Sequence, residues 1–307
     1  MRRNSIITIL TVVLLIAGLA VLLYPYASNL LSSRNQEEEI RTYVTVVSSM
    51  EEDECERILQ EAQEYNEALA AKPQLGELSD EEFGRYRDTL RLTGSGVIGY
   101  IEIPSIDVSL PIYHGTDDYV LQIGVGHVNW TSLPVGGPDT HAVLSGHRGL
   151  PSSRLFTHLD RVAVGDIFTI QVLNQTLTYE VDRILTVLPE ETEPLQIVSG
   201  EDLCTLVTCT PYGINTHRLL VRGHRIENPS EPEPVEEPQP EQEEQITLFD
   251  TKTLYIIAVV CATVVILFIT GLILLAVNRR REKRKKRFQH SDPRKNGGAA
   301  FEKENEN

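Results

Sequence analysis

The chain has 307 residues, of which 41% are hydrophobic, and it carries a formal net charge of −16 at pH 7. This length leaves room for one or two domains. The excess of acidic residues argues against nucleic acid as a partner, because a phosphate backbone attracts a basic surface. Four cysteines in a chain of this size do not suggest a disulfide framework.

The chain begins with a candidate membrane span. Residues 6–23 are apolar, follow Arg2 and Arg3, and form a stretch long enough to cross a bilayer. We predict a cytoplasmic stub and an uncleaved transmembrane anchor over residues 1–25. A cleaved signal peptide is the alternative, because residues 26–28 keep some character of a cleavage site.

The next region is predicted to be helical and then irregular. Residues 36–71 place apolar side chains three or four positions apart with charged residues between them, which indicates an amphipathic helix. Residues 72–96 are polar and are punctuated by proline and glycine, which indicates a loop. We therefore predict an extracellular region of helix and loop over residues 36–96.

Residues 97–227 are predicted to form a domain that is mainly β. Short apolar and β-branched runs alternate with turn signals, which is typical of a closed barrel or a sandwich. The predicted strands number about eight and lie at 97–103, 108–113, within 121–130, and at 142–145, 167–173, 177–187, 203–208 and 217–221. One helical turn is predicted at 155–159.

The C-terminal residues divide into a linker, a second span and a tail. Residues 228–252 are acidic and rich in proline, which predicts a disordered, extended spacer. Residues 253–277 are apolar and predict a second transmembrane helix, and residues 278–307 begin with a basic run that predicts a cytoplasmic tail next to anionic lipid. Both termini are then cytoplasmic, and the domain at 97–227 is extracellular.

The motif that organises the chain lies at residues 208–213, which read TCTPYG. A strand of buried character ends at Cys209, and Pro211 and Gly213 then break it into a loop. A second strand follows, with Arg218 near its start. A hairpin-like connection would place the thiol beside the guanidinium, where a nucleophile and a fixed positive charge could act on one carbonyl.

A histidine with a matching position lies upstream. The strand at 142–145 is followed by Gly146, His147, Arg148 and Gly149, and the two glycines let the backbone turn tightly around the histidine. A cysteine and a histidine, each at the end of a strand, are the parts needed for acyl transfer through a thiol. The sequence leaves open whether Arg148 supports His147 or lies at the surface.

The other cysteines are weaker candidates for a nucleophile. Cys204 lies five residues before Cys209, so the two side chains point to opposite faces of one strand and are not expected to form a disulfide. Cys55 falls in the predicted helix, and Cys261 falls in the second predicted span.

Other arginines, histidines and aspartates lie near the motif or share its residue types. Arg222 lies four residues beyond Arg218, about 13 Å away on the same strand face. No spacing typical of metal ligands connects the other histidines, so we predict neither a metal nor a cofactor. Those histidines include His114, His127, His141 and His217. Asp139 and Asp160 are available, but no pattern ties either carboxylate to His147.

The TCTPYG segment, Arg218 on the following strand and the earlier Gly-His resemble the sortases, which are cysteine transpeptidases of Gram-positive bacteria. The stretch from Cys209 to Arg218 is most similar to class C, the pilin-polymerising group. The resemblance covers about residues 36–227 and the C-terminal anchor. It implies an eight-stranded sortase β-barrel over 97–227, with an N-terminal helical and lid region and two transmembrane helices.

The resemblance also implies a role for each site residue. Cys209 is the nucleophile, His147 is the acid and then the base, and Arg218 stabilises the oxyanion or holds the substrate backbone. The reaction it implies cuts an LPXTG-like sorting signal between Thr and Gly through a thioester, which a lysine amine of a pilin subunit then resolves. The implied partners are pilin subunits or surface proteins with such a signal, and membrane lipid, with no nucleic acid.

Class C sortases have a lid over the active site, in the region that corresponds to residues 72–96. The lid usually carries Asp-Pro followed by an aromatic residue, and this chain has no such triplet there. The nearest candidates for lid contacts are Asp80, Phe83 and Tyr86. Either the lid blocks the thiol through these residues or the site is open; an ordinary linker is the remaining alternative.

Three other functions stay open on the sequence. The same chemistry with an amine of cell-wall peptidoglycan as acceptor would anchor surface proteins instead of building pili. A cysteine hydrolase would resolve the thioester with water. A membrane-tethered scaffold without catalytic activity would leave Cys209 unreactive.

Overall fold

The computed structural model describes residues 2–72 and 76–228, with isolated positions at 271, 276–277, 280–281 and 284. Nearly all of the predicted linker and most of the second span and the basic tail lie outside the described residues. Within the described part, one helix is long and apolar enough to cross a membrane, over Leu10–Ser48. This helix fits the predicted N-terminal anchor by length and composition.

Four α-helices occur in the described part of the chain: α1 at Arg2–Ser48, α2 at Glu52–Ala70, α3 at Asp80–Asp88 and α4 at Asp118–Ile123. The single helix predicted at 36–71 is therefore wrong in one respect, since a break separates α1 from α2. The hydroxyls of Ser48 and Ser49 donate to backbone carbonyls one turn earlier. Such side-chain bonds compete with continuation of the helix.

Helix α3 lies where the sequence predicted a loop. Ser79 and Glu82 form a capping box, in which the Ser79 amide donates to the Glu82 carboxylate at 2.9 Å. The helix continues through Gly84, although glycine in a helix costs about 1 kcal/mol relative to alanine. Tyr86, in the second half of α3, is completely buried. The cap and this burial together stabilise a helix that local composition does not favour.

The sheet is a closed barrel of eight strands in the described residues, as predicted. The strands are β1 Val97–Ile103, β2 Val108–His114, β3 Val125–His127, β4 Thr140–Ser145, β5 Ile167–Val172, β6 Gln175–Val187, β7 Asp202–Thr210 and β8 His217–Ile226. Their order around the barrel is β1-β2-β3-β4-β7-β8-β6-β5, and β5 closes onto β1. The predicted helical turn at 155–159 is a turn that leads into a 3-10 helix at Leu159–Arg161.

The parallel pairing of β4 with β7 places the C-terminal ends of these two strands at the same edge of the barrel. These strands run in the same direction, from the pair Thr140 and Asp202 to the pair Ser145 and Val207. The residues that follow Ser145 therefore emerge at the same edge of the barrel as the end of β7. A parallel pair needs a long crossover, and here the crossover contains β5 and β6.

One apolar cluster fills the barrel interior and continues onto two helices. It takes Ile58, Tyr65 and Leu69 from α2 and Tyr86 from α3, together with inward-facing residues of the strands. Burial of this apolar surface is the main stabilising contribution. Helices α2 and α3 therefore complete the core of the barrel.

Candidate active site

Cys209 lies near the end of β7, directly opposite Arg218 of β8. Along β7, Cys204 and Leu206 point into the main core, whereas Val207 belongs to a second apolar cluster on the other face. Because side chains alternate along a strand, Cys209 shares the outer face with Val207. The hairpin prediction is confirmed, since it brings the Cys209 and Arg218 positions side by side.

The other described cysteines are core residues. Cys55 and Cys204 are buried, while Cys209 is only partly buried. Burial raises the pKa of the Cys204 thiol well above its usual value. A neutral, enclosed thiol is a poor nucleophile. Of these three cysteines, Cys209 is therefore the one whose sulfur is placed to meet a substrate.

His147 follows β4 and lies beside the same strand end. The residue before it, Gly146, donates its amide to the Val207 carbonyl at 3.0 Å and accepts a bond from the Thr208 hydroxyl at 2.7 Å. The residue after it, Arg148, donates to the Thr210 hydroxyl at 3.3 Å. The neighbours of His147 thus bond to residues on both sides of Cys209, which holds the histidine backbone next to the cysteine.

We call residues 146–158 the His147 loop, and its shape depends on two glycines. The Phe156 amide donates to the His147 carbonyl at 3.1 Å and folds the loop back on itself. The Phe156 ring then lies so close to Gly146 that a Cβ there would approach a ring carbon to 2.6 Å. Gly149 has a φ of +81° and packs under the ring of Tyr212. The predicted tight turn around His147 therefore requires both glycines.

The Arg218 side chain is partly buried and is held by its own loop. Its Nη1 donates to the carbonyls of Asn215 at 3.3 Å and His217 at 3.1 Å. Arg222, the rival, forms a bidentate ion pair with Asp182. Among contacts in the described residues, the Nε and Nη2 groups of Arg218 make no hydrogen bond, so the side chain keeps donors to offer a substrate.

An apolar strip on the outer face of the barrel leads to Cys209. It contains Val143 of β4, Val207 of β7 and Leu220 of β8, which pack against Leu195 from the connection between β6 and β7. Val207 and Leu220 form a cross-strand pair two residues before Cys209 and two residues after Arg218. Val143 and Leu220 are buried, and Val207 is the partly exposed member of the strip next to Cys209.

Two rival histidines, His127 and His141, are buried and a third, His114, is half-buried, and all three are neutral at pH 7. Burial lowers the pKa of His114 to about 4, that of His127 to about 3 and that of His141 to about 4. His127 donates from Nε2 to the Ser132 carbonyl at 2.8 Å, so its Nδ1 accepts from the Tyr86 hydroxyl at 2.9 Å. His141 similarly donates to the Gln196 carbonyl at 2.8 Å. Structural hydrogen bonds account for these imidazoles, whereas His217, which lies opposite Thr210 on β8, stays a rival to His147 at the site.

The predicted lid residues lie in α3. Asp80 and Phe83 are exposed, and Tyr86 packs edge-on against His114 with ring centres 4.9 Å apart. His127, the hydrogen-bond partner of Tyr86, pairs with Leu144 of β4, whose side chain is in the main core. Paired residues point to the same side of a sheet, so Tyr86 lies on the inner side of the wall. A role of α3 as lid stays a prediction.

Asp160 makes an ion pair that the sequence did not predict. Its carboxylate pairs with the Arg148 guanidinium at 2.5 Å, which ties it to the residue next to His147. Asp160 lies twelve residues after Arg148, in the 3-10 helix. No local spacing rule connects residues across such a loop, and only the adjacency of Arg148 to His147 offered a hint.

The barrel and this arrangement have counterparts among known proteins. A family model described as the sortase domain matches residues 101–226. The crystal structure of sortase C1 from Streptococcus agalactiae is 49% identical, with a TM-score of 0.61 over 62% of this chain and 100% of that chain. Sortase C of Clostridium perfringens, solved with the C-terminal cell wall sorting motif, is 41% identical, with a TM-score of 0.56 over 62% of this chain and 99% of that chain.

A curated relative gives the same family. Sortase A of Streptococcus agalactiae is 33% identical over 130 residues, which cover 41% of this chain and 52% of that protein. The match thus spans about half the length of that relative. The chain belongs to the sortase family, whose members are cysteine transpeptidases, and these structural neighbours are class C sortases.

Proposed function

We propose that this protein is a membrane-anchored cysteine transpeptidase that polymerises pili. It would cleave an LPXTG-like sorting signal between Thr and Gly and transfer the acyl group to a lysine amine of a pilin subunit. The observation that carries the proposal is the cross-strand pair of Cys209 and Arg218, with the backbone of His147 tied to the same strand end.

The apolar strip supports the choice of substrate. Val207 is the partly exposed member of the strip and lies two residues before Cys209 on the same face of β7, so an apolar side chain of the sorting signal would pack there with the Thr carbonyl near the thiol. One sortase C structure contains such a C-terminal sorting motif.

In the first step, the Cys209 sulfur adds to the Thr carbonyl carbon as a thiolate. The carbonyl oxygen becomes an oxyanion, which the guanidinium of Arg218 stabilises. The C–N bond between Thr and Gly then breaks, and His147 donates a proton to the departing glycine nitrogen. A thioester between Cys209 and the Thr remains, and the fragment beginning with Gly leaves.

In the second step, a lysine amine adds to the thioester carbonyl. His147, now neutral, takes the proton from the amine, and the C–S bond breaks to return the Cys209 thiolate. The product is an isopeptide bond between Thr and lysine. A pilin lysine is favoured over a peptidoglycan amine because the structural neighbours at 49% and 41% identity are class C sortases.

Intact-mass spectrometry of the full-length protein in detergent tests the proposal. Mixed with an LPXTG-type peptide, the protein should gain the mass of the N-terminal fragment, and an added lysine peptide should discharge it. Cys209→Ala should give no adduct, whereas Cys55→Ala, which changes a buried thiol in α2, should still give one.

The products distinguish the alternatives. Release of free acid in the presence of excess lysine peptide would indicate a hydrolase, and discharge only by a peptidoglycan-type amine would indicate cell-wall anchoring. If Cys209 reacts neither with the peptide nor with iodoacetamide, the protein is not a transpeptidase and a scaffold role replaces the proposal.

A further inference from the structure

Arg148 is a nearly buried cation that the two chemical steps above do not use. Its side chain is only 9% exposed, although arginine usually lies at the surface. Its Nη2 pairs with Asp160 at 2.5 Å, its Nη1 donates to the Thr210 hydroxyl at 3.3 Å, and its Cζ lies 5.8 Å from the centre of the Tyr212 ring. One guanidinium therefore joins the His147 loop to two other segments, the 3-10 helix and residues 210–212 at the end of β7.

Two of the residues in these contacts are neighbours in sequence of the proposed catalytic residues. Arg148 directly follows His147, and Thr210 directly follows Cys209. The bond from Arg148 to Thr210 therefore links the neighbours of His147 and Cys209, the two residues that act on the same substrate bond in the proposed reaction. Tyr212 extends the link to the loop between β7 and β8, which also carries the Asn215 carbonyl that accepts a hydrogen bond from Arg218.

The positive charge of Arg148 requires a counter-charge to be stable in this nearly buried position. A buried cation without a counter-charge is costly, and Asp160 supplies the negative charge from the 3-10 helix. A planar guanidinium can bond in two directions and stack on a ring at once, whereas the single ammonium of lysine cannot reproduce this geometry. The contacts of Arg148 thus depend on arginine itself as well as on a positive charge.

We propose that Arg148, held by Asp160, is a positioning residue that fixes His147 relative to Cys209. This proposal rests on the transpeptidation proposed above, because the histidine must reach first the glycine nitrogen and then the lysine amine. A displacement of about 1 Å in such a group can lower a rate about a hundredfold. The contacts of Arg148 are with Asp160, Thr210 and Tyr212 and not with the apolar strip, so peptide binding should change little.

The test compares Arg148→Gln, Arg148→Lys and Asp160→Asn in the full-length protein in detergent. Arg154→Gln is the control, because Arg154 is an exposed arginine of the same loop that bonds to α1 through its backbone amide alone. We expect Arg148→Gln to lower the maximal rate of acylation by about tenfold to a hundredfold, with the KM for the peptide changed less than about twofold. Arg148→Lys should recover only part of the rate.

A double variant and a measurement without substrate complete the test. Arg148→Gln combined with Asp160→Asn should be no slower than Arg148→Gln alone, because both changes break one contact. Hydrogen–deuterium exchange should rise in residues 146–150 and 209–213 together in Arg148→Gln, and in neither segment in Arg154→Gln. This measurement needs no substrate, so it separates the positioning proposal from the proposed reaction.

Several results would overturn the proposal. A lower melting temperature in Arg148→Gln with an unchanged maximal rate would show a purely structural role, and a raised KM at an unchanged rate would show that Arg148 binds the peptide. Unchanged exchange at 209–213 would show that the two segments are not linked. If exchange rises in both segments while the wild-type protein forms no adduct, the link stands and the proposed reaction fails.

Discussion

Gln36 of helix α1 donates a hydrogen bond to the hydroxyl of Ser153 at 3.1 Å, across 117 residues of sequence. Both side chains are buried, with exposed fractions of 7% and 3%. The same Gln36 amide donates to the Ile123 carbonyl at 2.9 Å, and Asn29 accepts the Arg154 amide at 2.9 Å. Helix α1 is therefore hydrogen-bonded to the far end of the His147 loop.

Replacing Gln36 with leucine should loosen that loop. The change leaves the Ile123 carbonyl and the Ser153 hydroxyl without this partner in a buried place, which should cost about 1–3 kcal/mol. We expect a lower melting temperature and faster hydrogen exchange at residues 151–154. Gln60→Leu is the matched control, because Gln60 bonds to Glu64 on the exposed face of α2. An equal decrease in melting temperature in the two variants would show that the buried hydrogen bonds of Gln36 contribute nothing to stability.

Replacing Arg218 with glutamine should mainly lower the acylation rate, whereas replacing Arg222 with glutamine should mainly lower stability. Arg218 lies opposite Cys209, so Arg218→Gln should slow acylation by about 10²–10³, the cost of losing one oxyanion donor. Arg222 pairs with Asp182, so Arg222→Gln should mainly lower stability. Single-turnover acylation and thermal unfolding on both variants measure the two effects. A larger loss of rate in Arg222→Gln would reverse the assignment.

The sequence predicted the elements whose signals are local. Short apolar and β-branched runs between turn signals predicted the strands, with β3 placed only within 121–130, and the placement of Pro211 and Gly213 predicted the hairpin that joins Cys209 to Arg218. The parallel pairing of β4 with β7 was not predicted, because pairing across a long crossover leaves no local pattern. The ion pair of Arg148 with Asp160 and the contact of Tyr86 with His127 were missed for the same reason.

Tyr86→Phe tests whether α3 covers the thiol. The hydroxyl of Tyr86 accepts the Gly115 amide at 2.9 Å and bonds to His127, so its removal should destabilise the protein by about 1–3 kcal/mol. The rate at which iodoacetamide alkylates Cys209 should not change, because Tyr86 lies on the inner side of the barrel wall. Thr93→Val, which removes an exposed hydroxyl, is the control. A faster alkylation in Tyr86→Phe alone would indicate that α3 acts as a lid.

The buried histidines predict that the protein loses stability in acid. Burial lowers the pKa of His114 and His141 from 6.5 to about 4, and that of His127 to about 3. As the pH falls below 6.5, the unfolded chain takes up protons at these positions and the folded protein does not, so the free energy of unfolding decreases until the pH reaches the folded pKa values. Each imidazole can contribute a slope of up to about 1.4 kcal/mol per pH unit.

Thermal unfolding of the full-length protein in detergent between pH 7 and pH 4 measures this slope. His141→Gln removes one of the three groups while its amide can still donate to the Gln196 carbonyl, so the contribution of the buried histidines should fall by about a third. Gln36→Leu lowers stability without removing a titrating group and should keep the full slope. If His141→Gln also keeps the full slope of stability with pH, His141 does not contribute to the acid sensitivity. Protons taken up elsewhere in the unfolded chain would then cause it.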